Sequence, residues 1–111
     1  MEMPLSEIVD RFSILILKWI HGINVRDDLL VYGKECPIDN LFLDLLKVNA
    51  EIWELESDIR MGKEDILGLE EVGRRAIAIR EKNQYRIRIK NKIATISNTF
   101  LEVKVDHASQ D

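Results

Sequence analysis

Apolar residues repeat at helical spacing through most of the chain, and three stretches carry the pattern. In the first, Ile8, Phe12, Leu15 and Trp19 recur with Val9, Ile16 and Ile20 alongside. At 100° per residue they cover an arc of about 140°, wider than a helix lying on one neighbour needs. Ser6 is a natural N-cap and Gly22 a natural αL terminator, which predicts a helix over residues 6–21. In the second, Leu41, Leu45, Val48, Ile52, Leu55 and Ile59 repeat at 4, 3, 4, 3, 4. That is an uninterrupted seam on one face, capped by Asp39 and ended by Gly62, and it predicts a helix over residues 39–61. A short turn from Lys63 to Gly68 leads to a third helix over residues 68–97. Tyr85-Arg-Ile-Arg-Ile alternates like a strand, but five residues of alternation inside a long helical pattern read as helix.

Residues 23–38 show no period and contain Gly33, Cys36 and Pro37. They read as a connection, with one turn of helix near Asp28–Val31. Residues 104–111 read as a frayed tail. The whole, residues 1–111, is one all-α domain, an antiparallel three-helix bundle. The third helix has two apolar faces, Leu69, Val72, Ala76, Ile79 and Ile87 on one, Ala78, Tyr85, Ile89 and Ile96 on the other. Three helices in one chain cannot easily cover both, which predicts a homodimer built around that helix.

The polar residues that interrupt this pattern are its chemical content. Beside the Leu seam of the second helix runs a line of Phe42, Leu46, Asn49, Trp53, Glu56 and Arg60, apolar in its first half and polar in its second. The seam of the third helix turns polar at Asn83, Arg86 and Lys90 before Ile93. Partly buried polar groups require partners. Two readings follow: a polar layer that fixes helix register, or a cleft of Asn49, Trp53, Glu56, Arg60, Asn83, Arg86 and Lys90. Such a cleft suits a small anionic or phosphorylated ligand.

Three of these stretches resemble a small bacterial all-helical family, a domain of unknown function. They are Glu7-Ile-Val-Asp10-Arg-Phe-Ser-Ile-Leu-Ile-Leu-Lys18, Asn49-Ala-Glu-Ile-Trp53-Glu-Leu-Glu56-Ser-Asp-Ile-Arg60 and Asn83-Gln-Tyr-Arg86-Ile-Arg-Ile-Lys90. Leu101-Glu102-Val-Lys104 is similar to that family's closing Glu and Lys. The chain departs from the family at Gln84, where Asp is usual. The resemblance implies the helical layout and the choice of residues, and no reaction.

Composition narrows the options. With 46% apolar and 32% charged residues and only two Pro and five Gly, the 111 residues suit a globular domain with its own core. The single cysteine, Cys36, forms no internal disulfide and no Cys-based zinc site. The most apolar run, Phe12 to Ile20, is too short for a bilayer span, and acidic Glu7 and Asp10 precede it, so a cytoplasmic location is expected with no membrane partner. The net charge of −4 is uneven: residues 1–66 carry −7 and residues 70–92 carry +5. Charge complementarity between packed helices accounts for that. A nucleic-acid face is disfavoured, because Arg74, Arg75, Arg80, Lys82, Arg88 and Lys92 form no single stripe.

The overall expectation is a helical binding or scaffold module with a polar cleft, no assigned cofactor and no metal. The alternative is an all-α, Mg-dependent nucleoside triphosphate pyrophosphohydrolase, with Glu7/Asp10 and Glu51/Glu54 as carboxylate pairs. Both pairs are expected on solvated faces, which weighs against it. A helical chorismate mutase matches poorly in length and spacing.

Overall fold

The computed structural model describes residues 3–60 and 68–109, with side chains for residues 3–57 and 68–97. All the regular structure among these residues is helical. Four helices are described: α1 (Leu5–Ile20), α2 (Arg26–Glu35), α3 (Asn40–Arg60) and α4 (Leu69–Ser109). None among them is long and apolar enough to cross a membrane.

Helix α1 begins one residue earlier than its expected cap. Pro4 takes the N-cap position with no side-chain bond, and Ser6 falls inside the first turn. Its end is as expected. Gly22 has φ +85°, Gly22 N–H donates to Trp19 O and Ile23 N–H to Lys18 O. This pairing closes a Schellman turn around a glycine, because a left-handed residue there costs glycine least.

The stretch read as a connection holds a full helix, α2. Its sequence lacked a period because none of its residues is fully buried. Gly33 also sits within it, a helix-weakening residue that here permits close approach. A Cβ at Gly33 would meet the Phe12 ring at 3.3 Å. The Asp39 cap is present, with Phe42 N–H donating to Asp39 Oδ1 at 2.9 Å. Helix α4 continues past the predicted Ser97 end to Ser109. Its 41 residues set the 66 Å long axis. α3, at 21 residues, runs beside only part of it. The side chains of Ile59 and Arg60, Gly62 and the turn from Lys63 up to Gly68 lie outside the described residues.

Paired residues give the directions. Glu7 meets Lys90 and Asp10 meets Arg86, so α4 runs against α1. Only residues 21–25 connect α1 to α2, and Arg11 in the first half of α1 meets Tyr32 near the end of α2, so α2 also runs against α1. Asn49 meets Asp10 and Trp53 meets His21, so α3 runs along α1. Helix α1 thus touches all three others. That accounts for its wide apolar arc.

The core is built where α1, α3 and α4 meet. Leu45 and Val48 of the α3 seam are fully covered, with Phe42 and Ile52 beside them. Ile8 and Val9 of α1, Cys36, and Ile89 and Ile93 of α4 complete the cluster. Burying each such aliphatic side chain stabilises the fold by roughly 1.5–3 kcal/mol. Trp19 and Ile20, expected on the core side of α1, are exposed. They belong to its last turn, beyond the reach of the cluster.

Candidate functional site

One carboxylate organises the polar interior. Asp10 lies on α1 one residue after Val9 and is only 3% exposed. A buried carboxylate is tolerable only with charged or hydrogen-bonding partners, and Asp10 has several. Arg86 Nε donates to its Oδ1 at 3.0 Å and Arg86 Nη2 to its Oδ2 at 2.5 Å. This is the two-pronged geometry that suits a guanidinium to a carboxylate. Asn49 Nδ2 donates to Oδ1 at 3.1 Å. Lys90 Nζ stands 3.7 Å from Oδ2 and 2.7 Å from Glu7 Oε1.

Ser13 closes the arrangement. Fully buried one turn after Asp10, its hydroxyl donates to the Asp10 carbonyl oxygen at 2.6 Å and accepts from Asn49 Nδ2 at 2.7 Å. One asparagine amide therefore ties α3 to two residues of α1, and one arginine ties α4 to the same carboxylate. Among the described residues, no fully buried side-chain nitrogen or oxygen lacks a partner.

Burial alone would raise the Asp10 pKa. The bonds from Arg86 and Asn49 and the charges of Arg86 and Lys90 overcome that and hold it below its ordinary 3.8. The carboxylate is therefore ionised at neutral pH, and the three helices meet around a fixed negative charge.

The structure divides the residues singled out from sequence. Asn49, Arg86 and Lys90 converge on Asp10. Trp53 takes another direction and stacks on His21 at the end of α1, ring centroids 4.6 Å apart. His21 Nδ1 donates to Leu17 O at 2.7 Å, which fixes that ring over the helix end. Asn49 and Trp53 are one turn apart on α3, and α1 runs alongside, so each meets a different part of α1. Glu56 and Asn83 are half-buried, and the Arg60 side chain lies outside the described residues.

Asp10, Ser13 and Glu7 are what the sequence reading did not place here. Asp10 and Glu7 were expected on a solvated face, and this is corrected for Asp10. The overlooked signal is the spacing Val9, Ser13, Leu17, which puts a buried stripe beside Asp10. Glu51 is also drawn inward, half-buried and paired with Lys82, while Glu54 is exposed. Three cations of basic α4, Lys82, Arg86 and Lys90, thus pair with carboxylates of α1 and α3. Among the described residues no group of three or more His, Cys, Asp or Glu is placed to hold a metal ion.

Cys36 is buried in the core cluster, its thiol pushed up to about 11 by burial and by the nearby charge of Asp39. That suppresses the thiolate and with it the nucleophilicity. Compared with known protein families, characterised proteins and solved structures, the chain finds no match.

Proposed function

We propose that this chain is a helical scaffold module that works as a homodimer in the cytoplasm, its interior polar layer fixing how the helices dock. The carrying observation is that the Asp10 carboxylate already occupies the cationic pair Arg86 and Lys90. A small anion at Asn49, Arg86 and Lys90 would have to displace a buried, doubly bonded carboxylate. Between a ligand cleft and a register-setting layer, this geometry favours the layer. The same pairing counts against metal-dependent pyrophosphohydrolysis, since Asp10, Glu7 and Glu51 are each matched to a cation.

Assembly through α4 is supported by what that helix leaves exposed. It packs on α1 and α3, yet Ile77, Tyr85 and Ile96, which fall within an arc of about 100° on the helix, are each about half exposed or more. Large apolar side chains gathered on one exposed helix face are characteristic of an interaction surface. In this reading the two-fold axis runs near α4, and the pair of chains completes the bundle.

Light scattering on the full chain tests the proposal. A mass of two chains is expected, and Tyr85→Glu with Ile96→Glu should halve it while leaving the far-ultraviolet circular dichroism unchanged. A wild-type mass of one chain removes the homodimer. Ile89 is unsuitable for such a test because it is buried in the chain's own core.

A further inference from the structure

The strongest unassigned feature is the groove between α1 and α2. Arg11, Ile14, Leu15 and Lys18 stand at i, i+3, i+4 and i+7, which places them along one face of α1. Asp28 and Tyr32, one turn apart on α2, form the opposite wall. The groove encloses about 300 Å³, the lower end of the range for small-molecule sites.

Its charge is uncompensated. Two cations face a single carboxylate, and among the described residues neither Arg11 nor Lys18 forms an ion pair. Lys82, Arg86 and Lys90, by contrast, are all matched. Arg11 Nη1 reaches only the Tyr32 hydroxyl, at a long 3.4 Å, and most of its guanidinium donors remain available. The floor is apolar, with Leu15 buried and Ile14 half-buried.

The walls are fixed. Tyr32 is half-buried and packs against the core cluster. Gly33 lets α2 close onto the Phe12 ring beside it. The site is therefore formed before any ligand arrives, which lowers the cost of binding.

We propose that this groove binds a small organic anion with an apolar body, of the aryl phosphate or aryl carboxylate class. The acidic group sits at the Arg11 end, where the guanidinium and the Tyr32 hydroxyl can both donate. The ring lies over Ile14 and Leu15. Asp28 at the Lys18 end disfavours a second negative charge there, so the site selects a ligand that is acidic at one end only. The proposal does not depend on dimerisation or on the Asp10 network, since it shares no residue with either.

Calorimetric titration of the full chain with phenyl phosphate, at low salt and pH 7, tests it. Saturable binding to one site per chain is expected, with inorganic phosphate binding more weakly because it leaves the apolar floor unused. Arg11→Ala should weaken phenyl phosphate about tenfold, the loss of one charge-assisted contact. Lys18→Gln offers an independent second reading, since Arg11 and Lys18 stand at opposite ends of the groove. Lys47→Ala, an exposed cation on α3, should change nothing. The proposal is overturned by absence of saturable heat, by unchanged affinity in both groove variants, or by an equal loss in Lys47→Ala.

Discussion

Replacing Arg86 by alanine isolates the central interaction of the fold. It removes both bonds from the guanidinium to Asp10, leaving that carboxylate with Asn49 at 3.1 Å and Lys90 at 3.7 Å. Removing one partner of a buried ion pair typically costs about 3–5 kcal/mol, because the remaining charge stays out of water. Here the Asp10 side chain is 4% exposed, but that of Arg86 is 25% exposed and Lys90 stays close. The expected loss is therefore lower, about 2–4 kcal/mol, a large share of the 5–15 kcal/mol typical of a domain.

Urea unfolding at pH 7, followed by circular dichroism, measures that loss. Asp10→Ala and the double variant complete a cycle, in which the double variant should cost clearly less than the two single losses added. A coupling of about 1.5–3 kcal/mol is expected for partners in direct contact. The pH dependence supplies a second reading. The Asp10 pKa is lower folded than unfolded, so the unfolded chain binds the proton more readily in the window between the two values. The stability from this group is fully present above the ordinary 3.8 and is lost as pH falls through the folded value. Arg86→Ala removes the chief bonding partner that lowers the pKa, so the folded and unfolded values draw together and the acid loss from this group should be smaller than in the wild type. A loss under about 1 kcal/mol at pH 7, with single effects that simply add, would refute the assignment of Asp10 and Arg86 as a coupled buried pair.

Asn49→Asp would set a second carboxylate against Asp10. It should cost about 3 kcal/mol or more at pH 7, and the deficit should shrink toward pH 4.5 as one of the two takes up a proton. Urea midpoints at the two pH values check this, and a deficit that grows on acidification contradicts it. Cys36, with its thiol at about 11, should react with a disulfide reagent at pH 8 at least about a hundred times more slowly than an ordinary cysteine. A native rate equal to that of the urea-unfolded chain would overturn the buried placement.

Much of the architecture was legible in sequence because α1, α3 and the first two thirds of α4 each bury a periodic stripe. The Leu45, Val48 and Ile52 seam is the clearest case. α2 was not legible, because it buries no residue fully and interrupts itself with Gly33, so no period marks it. The polar centre was half legible. Asn49, Arg86 and Lys90 stood out as polar residues on apolar seams, which is why they were selected. Asp10 did not, since an acidic residue in the first turns of a helix is ordinarily solvated and favoured by the helix dipole. Only three neighbours around α1 turn that face inward. Trp53 pointed elsewhere for a related reason: the pattern of a single helix gives its burial, but not which turn of a neighbour it meets.

The contact between Asp10 and Arg86 joins positions 76 apart in the chain. Closing so long a loop is slow relative to forming any one helix. Until the final helix arrives, α1 and α3 can come together only around an aspartate that keeps its water. Dehydrating that side chain and docking α4 are then a single event.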